Sequence, residues 1–385
     1  MLKLCQGREQ VNNLFRQKVS LMNFTINDIR VRFCITLVTS LIGGFLFSII
    51  HSPIPWLLGP MTAVLISSRF GKVQFYWPKM IRDTGLVIVG YSIGLSFTKE
   101  ALLEIVAKLP SMLLMTVLLV CFCAGIAFVV SKLSGIDYPT VLIGSIPGGL
   151  SQMIIFAEEL KGINITTVTF LQVARLIMII FFVPFLIFGP FFNNTSDTVS
   201  DLVTGGAISP GPLFPNVIWF GLICVVCALL AKKLHFPTPY LLGPILGTAI
   251  FNLMGLQGPA LPPTLLDASQ FFIGAYIGLL LKPEKLEHKT KIISLALISG
   301  MVMILVSVGL SLLLVSFYHI NHSTSFLALA PGGMDQMGIL AHAIHADLSM
   351  VTGYQIFRLL FIYFVVPPIL RWIFKVGMGK TVNTP

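Results

Sequence analysis

The chain has 385 residues, of which 56% are apolar and 10% are charged, and its mean hydropathy is +0.92. Because a soluble protein carries about 25% charged residues, this composition excludes a soluble enzyme and predicts an all-α polytopic membrane protein. The net charge of +10 arises from short Lys and Arg clusters between apolar runs. Such clusters are typical of cytoplasmic loops, and the sequence contains no nucleic-acid-binding motif.

The first half of the chain contains five apolar runs that predict membrane spans, near 33–50, 57–70, 83–98, 111–131 and 167–189. A further run at 140–157 is interrupted by Pro147, Gly148 and Gly149. Lys and Arg residues precede the first run, and they predict a cytoplasmic, basic N-terminal tail over 1–32.

A duplication organises the whole sequence. The octapeptide at 53–60 recurs at 237–244 with six of eight positions identical, which gives an offset of 184 residues. At this offset, or at 183 after a one-residue deletion, Pro147, Gly148, Gly149, Gln152, Gln172 and Arg175 match Pro331, Gly332, Gly333, Gln336, Gln355 and Arg358 in that order. Chance does not place so many matches in one register.

The Lys and Arg distribution predicts that the two halves have opposite orientations. The linker at 190–215 contains no Lys or Arg, so it is predicted to be external. This requires each broken segment to enter and leave the membrane on one side, as a re-entrant segment. We therefore predict two inverted repeats of five spans and one re-entrant segment each, at 33–189 and 216–376, with a second cytoplasmic tail at 377–385.

The two Pro-Gly-Gly breaks are candidate substrate-binding segments. Proline removes a backbone donor and glycine relaxes the helix, so free N–H groups there need a partner that lipid cannot supply. A helix that begins after Gly149 or Gly333 directs its positive end at the break, which suits an anion. Alternatively, each break is a kink that neighbouring helices pack against, without a ligand.

Arg175 and Arg358 lie within apolar runs, where a charged side chain requires compensation. Gln172 and Gln355 precede them by three residues and so share their helix faces. One interpretation is that the four side chains bind a carboxylate or another anion. The other is that each arginine holds the carbonyl groups of a broken helix or pairs with an aspartate.

Three aspartates are the candidate partners. Asp83 and Asp267 are predicted to cap two matching helices, with a proton or cation coupling site as the alternative. Asp335 stands where the first half has Ser151, so it distinguishes the two halves. It is the candidate coupling residue, with an internal salt bridge as the alternative.

Two histidines, His342 and His345, stand near Asp347 and could in principle bind copper or zinc. Three ligands from one turn are geometrically strained, and the first half has no matching histidines. The sequence therefore predicts no metal, no cofactor and no catalytic residue.

The duplicated P-x-P-[WY]-L-L-G-P and P-G-G-x-x-Q-M motifs and the Q-x-x-R helices resemble the AbrB-type membrane family, also labelled ammonia monooxygenase, over about residues 33–376. The resemblance implies an integral protein of the bacterial cytoplasmic (inner) membrane. The regulatory label implies at most an indirect effect on gene expression. The monooxygenase label implies a copper enzyme, for which the chain offers no convincing histidine cluster.

Inverted repeats with matching broken helices are typical of secondary transporters. The main hypothesis is a transporter of a small anionic metabolite. The protein is predicted to lie in the lipid bilayer and not to bind nucleic acid, and homo-oligomerisation is compatible with this hypothesis. Coupling to protons or to sodium is left open, and the absence of a Walker loop argues against direct use of ATP. The alternatives are a membrane-embedded regulator and, third, a copper-dependent monooxygenase-like enzyme.

Overall fold

The computed structural model describes residues 28–52, 54–70, 74–160, 162–189, 216–256, 258–280, 289–318 and 320–381. The predicted linker at 190–215 and most of the predicted N-terminal tail lie outside these described residues. Within them the chain forms sixteen helices and no strands.

Eight helices belong to the first half of the chain: α1 (Ile29–Ile49), α2 (Pro55–Phe70), α3 (Lys79–Leu95), α4 (Lys99–Ala107), α5 (Leu109–Ser134), α6 (Tyr138–Ser145), α7 (Leu150–Glu159) and α8 (Ile165–Ile187). Eight belong to the second half: α9 (Asn216–Lys233), α10 (Pro239–Leu253), α11 (Pro263–Gly278), α12 (Lys289–Tyr318), α13 (His322–Leu329), α14 (Met334–Ala343), α15 (Leu348–Phe364) and α16 (Val366–Thr381).

The helix bounds repeat at the sequence offset. Helices α6 and α7 become α13 and α14 when 184 is added to their first and last residues. Helices α8 and α15 begin 183 residues apart, after the predicted one-residue deletion. The duplication predicted from short motifs therefore extends to the secondary structure around both breaks.

The N-terminal caps repeat as well. Asp137 caps α6 by accepting a hydrogen bond from the backbone N–H of Thr140 at 3.0 Å, and its equivalent Asn321 caps α13 through the N–H of Ser323 at 3.0 Å. Asn164 and Asp347 cap α8 and α15 in the same way. Each side chain satisfies an N–H group that has no partner within its helix.

Removing one of these caps should have a modest effect. We expect Asp137→Ala and Asn321→Ala each to lower the free energy of unfolding by about 1 kcal/mol, because one N–H group loses its acceptor. Denaturant unfolding of each variant in detergent measures this change. A loss of several kcal/mol would show that the side chain has a further role.

The predicted caps at Asp83 and Asp267 are wrong. Helix α3 begins at Lys79 and α11 begins at Pro263, so both carboxylates lie about one turn inside their helices. Proline at or just before these starts explains the earlier beginning, because its fixed φ angle suits the first turn and it has no N–H group to satisfy.

Among the described residues, five helical stretches are long and apolar enough to cross a membrane: Ile29–Ile49, Leu109–Ser134, Ile165–Ile187, Ile293–Tyr318 and Leu348–Phe374. Helices α2, α3, α10 and α11 have 15 to 17 residues. The short helix α4 follows α3 and is bent by 88° from it. The all-helical membrane class is confirmed, whereas the inverted arrangement and the re-entrant segments stay predictions.

The described chain divides into two compact units. The first contains residues up to 82 together with 270–280. In it, Gly274 and Gly278 of α11 pack on α2. A Cβ atom at Gly278 would lie 2.6 Å from the carbonyl oxygen of Met61, and one at Gly274 would overlap that of Leu57. The G-x-x-x-G spacing thus gives a close backbone approach.

The second unit contains residues 83–269 and the chain after 280. In it, α3 packs on α10 through another G-x-x-x-G pair. A Cβ atom at Gly90 would lie 2.7 Å from the carbonyl oxygen of Leu241, and one at Gly94 would lie 2.8 Å from that of Ile245. Leu241 and Ile245 are the sequence equivalents of Leu57 and Met61, so the same contact is made once in each unit.

Candidate functional site

Both predicted helix breaks are present, and both lie in the second unit. Residues 146–149 separate α6 from α7, and residues 330–333 separate α13 from α14. Their last residues, Gly149 (φ −63°, ψ 131°) and Gly333 (φ −73°, ψ 145°), are extended and form the N-caps of α7 and α14. Glycine has no side chain that could cap the first turn.

The first break is held by two side chains of α8. The Nε2 atom of Gln172 donates to the carbonyl oxygens of Ile143 at 2.8 Å and Ile146 at 3.0 Å. The Nη1 atom of Arg175 donates to the carbonyl oxygens of Ser145 and Ile146, both at 3.0 Å, and its Nη2 atom donates to Oε1 of Gln172 at 2.6 Å. Both side chains are buried. We call this arrangement the first clamp.

The second clamp is its equivalent on α15. Nε2 of Gln355 and both Nη atoms of Arg358 donate to backbone carbonyl groups at 2.8 to 3.3 Å. The acceptors are the carbonyl oxygens of Leu327, Ala328, Leu329, Ala330 and Gly332. Nη2 of Arg358 also donates to Oε1 of Gln355.

The clamps satisfy the open ends of α6 and α13. The last carbonyl groups of a helix receive no hydrogen bond from an N–H group of the same helix. At a break inside a membrane protein, lipid cannot supply the missing donors. The glutamine and arginine side chains supply those donors. Neither guanidinium pairs with a carboxylate among the residues that the structure describes. The hydrogen bonds thus match the interpretation in which the arginines hold broken-helix carbonyls.

The clamps leave positive charge in the interior of the second unit. Carbonyl dipoles solvate the guanidiniums but do not neutralise them. The Nε atom of Arg175 is buried and has no hydrogen-bond partner in the described part of the chain.

Each break contacts the clamp helix of the other half. A Cβ atom at Gly148 would lie 3.1 Å from Cγ2 of Ile362 on α15, and one at Gly332 would lie 3.0 Å from Cγ2 of Ile179 on α8. Ile362 is the sequence equivalent of Ile179. The two contacts are therefore the same contact made in both directions, and the two breaks and both clamps form one continuous region.

A glutamine follows each break in the first turn of the next helix. Oε1 of Gln152 and Oε1 of Gln336 are both buried and have no hydrogen-bond partner among the described residues. Nε2 of Gln336 donates to Oδ2 of Asp335 at 2.8 Å. The structure therefore brings the predicted residues together around the breaks, including the coupling candidate Asp335, in two chemically unequal copies.

The candidate metal ligands His342, His345 and Asp347 do not form a metal-binding group in the described part of the chain. His342 is in the last turn of α14, and Asp347 caps α15 by accepting from the N–H group of Met350 at 2.9 Å. No group of three His, Cys, Asp or Glu side chains suited to a metal ion occurs in the parts of the chain that the structure describes.

The sequence model of the family described as "Transition state regulatory protein AbrB" matches residues 56–374. The chain is 27% identical over 355 residues to "Uncharacterized protein YhjN" of Bacillus subtilis (strain 168), covering 86% of this chain and 90% of that protein. It is 26% identical over 336 residues to "Putative regulator AbrB" of Escherichia coli (strain K12), covering 87% and 94%. The chain therefore belongs to the AbrB family of that description.

Proposed function

We propose that the protein is a secondary transporter of a small anionic metabolite, which binds in the region of the two breaks between inverted repeats. The observation that carries the proposal is the pair of buried guanidiniums, Arg175 and Arg358, which have no carboxylate partner among the described residues. Burying an uncompensated charge is costly. A bound anion would lower that cost, and removal of the anion would restore it.

The helix ends add to the same preference. Helices α7 and α14 begin at the breaks, and the first N–H groups of a helix lack intrahelical partners and favour an anion. The two helix ends and the two arginines thus concentrate donors and positive charge in one buried region. Fixed donors of this kind are typical of the discontinuous helices that bind substrates in transporters.

The reciprocal packing supports a two-fold relation between the halves. When residue A of one half contacts residue B of the other, and the equivalent of B contacts the equivalent of A, the halves are related as in an isologous pair. The contacts of Gly148 with Ile362 and of Gly332 with Ile179 follow this rule. Combined with the linker at 190–215, which contains no Lys or Arg, the rule favours an axis in the membrane plane, which inverts one repeat relative to the other.

A regulatory role is the second candidate. The family description and the name of the Escherichia coli relative both refer to regulation. If the chain acts in this way, it influences gene expression from the membrane through a partner, and ligand occupancy of the buried region could be the signal. This alternative predicts binding without flux, whereas the transporter requires both.

Ligand-induced stabilisation of purified protein in detergent tests the binding step. An anion present at 100 times its dissociation constant should raise the free energy of unfolding by about 2.7 kcal/mol. We expect Arg175→Lys and Arg358→Lys to weaken this effect, because lysine keeps the charge but loses the planar fork. Arg371→Lys is the control, since Arg371 is exposed and pairs with Glu159 on the surface.

Two results would contradict the proposal. One is that no anion in a broad metabolite library raises the melting temperature of the wild-type protein. The other is that both clamp variants, folded, bind the stabilising anion as tightly as the wild type does. Either result would identify the arginines as structural and would remove the observation on which the transporter proposal rests.

A further inference from the structure

The two helix breaks differ in one polar residue. Position 335 is Asp, whereas its equivalent at position 151 is Ser. Each is the second residue of its helix, because α14 begins at Met334 and α7 begins at Leu150. The second break therefore carries a carboxylate that the first one lacks, although the two clamps behind them are equivalent.

Gln336 adds an independent observation at the same break. Its side chain is only 4% exposed. Its Nε2 atom donates to Asp335, and this hydrogen bond fixes the orientation of the amide group. The other atom of the amide, Oε1, is therefore the acceptor oxygen. That oxygen is buried and has no hydrogen-bond partner among the described residues.

The unpartnered oxygen points into the break. A Cβ atom built on Gly333 would overlap both Oε1 of Gln336 and, at 2.5 Å, Oδ1 of Asp335. A buried acceptor without a donor is costly and rare in native proteins. A ligand group with N–H or O–H bonds at this position would satisfy it.

A metal cation alone fits this position poorly. Nη2 of Arg358 donates to the carbonyl oxygen of Gly332 at 3.1 Å, so a guanidinium lies next to the break. The positive end of α14 is there as well. Both repel a lone cation, but both attract a carboxylate. The position therefore suits a ligand that carries a donor group and a carboxylate close together.

Resting on the transporter function proposed above, we propose that the substrate is an α-amino carboxylate. Its ammonium group donates to Asp335 and to Oε1 of Gln336, and its carboxylate accepts from the first-turn N–H groups of α14. The two groups are separated by a single carbon atom, so one turn of helix can hold both. The first break, which has no carboxylate, does not discriminate in this way.

Two matched series of acids test the substrate class. Aspartate, malate and succinate share one four-carbon skeleton, and alanine, lactate and propionate share a three-carbon one; within each series the second carbon carries an amino group, a hydroxyl group or hydrogen. Titrated thermal stabilisation of the full-length protein in detergent gives a dissociation constant for each. We expect the amino member of at least one series to bind about tenfold or more tightly than its unsubstituted member.

Asp335→Asn isolates the charge. This variant keeps the size and an acceptor oxygen, so we expect it to fold, to bind the unsubstituted acid as the wild type does and to lose the preference for the amino acid. Glu158→Gln is the matched control, because Glu158 is an exposed carboxylate on α7. It should leave the preference unchanged.

The outcomes separate the two proposals. If the unsubstituted acid binds as tightly as its amino counterpart in both series, or if Asp335→Asn keeps the preference, the amino-acid assignment is wrong while anion binding stands. The same conclusion follows if none of the six acids binds but another anion of the metabolite library does. If no anion binds at all, the transporter proposal falls with it.

Discussion

Replacing Arg358 with alanine should destabilise the protein by about 2–4 kcal/mol. The guanidinium donates to the carbonyl oxygens of Leu329, Ala330 and Gly332, and all of these contacts are lost together. A hydrogen bond within a membrane protein contributes about 0.6 to 1.7 kcal/mol, and one made by a charged group in a protein contributes about 1.5 to 3 kcal/mol. Arg175→Ala should have a similar effect through the first clamp.

Unfolding in mixed detergent, followed by circular dichroism, measures these losses. Gln355→Leu should cost less, because it removes an uncharged amide of similar size and leaves the guanidinium in place. Arg371→Ala, on the exposed surface, should change the stability by less than about 0.5 kcal/mol. Wild-type stability in Arg358→Ala would mean that the clamp does not hold α13, and the structural interpretation of the arginine would fail.

Leucine at either G-x-x-x-G contact should be at least as disruptive. A Cβ atom at Gly94 would already lie 2.6 Å from Cβ of Thr248, and one at Gly278 would lie 2.6 Å from the carbonyl oxygen of Met61. Backbone atoms cannot move aside as a flexible side chain can. We expect Gly94→Leu and Gly278→Leu each to cost about 3 kcal/mol or to prevent folding.

Each repeat also contains a matched control glycine. Gly125 of α5 and its equivalent Gly309 of α12 have open space where a Cβ atom would lie. Leucine at either position should be tolerated, and it should increase helix propensity. Folding yield and melting temperature of the four variants compare the two sites directly. If leucine at the open positions is as harmful as at the packed ones, glycine is needed there for some other reason than close approach.

The duplication made much of the fold predictable. Because the Pro-Gly-Gly motif and the Gln-x-x-Arg spacing occur twice in register, the sequence indicated both breaks and placed each glutamine on the face of its arginine. Hydropathy identified the long apolar helices, since helices such as α5 and α12 can be recognised from their length and composition alone. The helix starts at Lys79 and Pro263 were missed because proline, and not aspartate, determines them.

The chemistry of the clamps was only half predictable. A backbone carbonyl has the same form at every residue, so no pattern of side chains indicates that Arg175 donates to Ser145 and Ile146. The sequence left two interpretations of the arginines for this reason. The unpartnered oxygen of Gln336 was also beyond prediction, because it depends on how Asp335 orients the amide.

Uptake into proteoliposomes tests the central claim most directly. Purified protein is reconstituted, and entry of the radiolabelled anion that gives the largest thermal stabilisation is followed over time for the wild type, Arg175→Lys, Arg358→Lys and the control Arg371→Lys. The account predicts saturable uptake by the wild type and the control, and at least tenfold slower uptake by the two clamp variants at equal amounts of folded protein. Tight binding without any uptake above empty liposomes would contradict it.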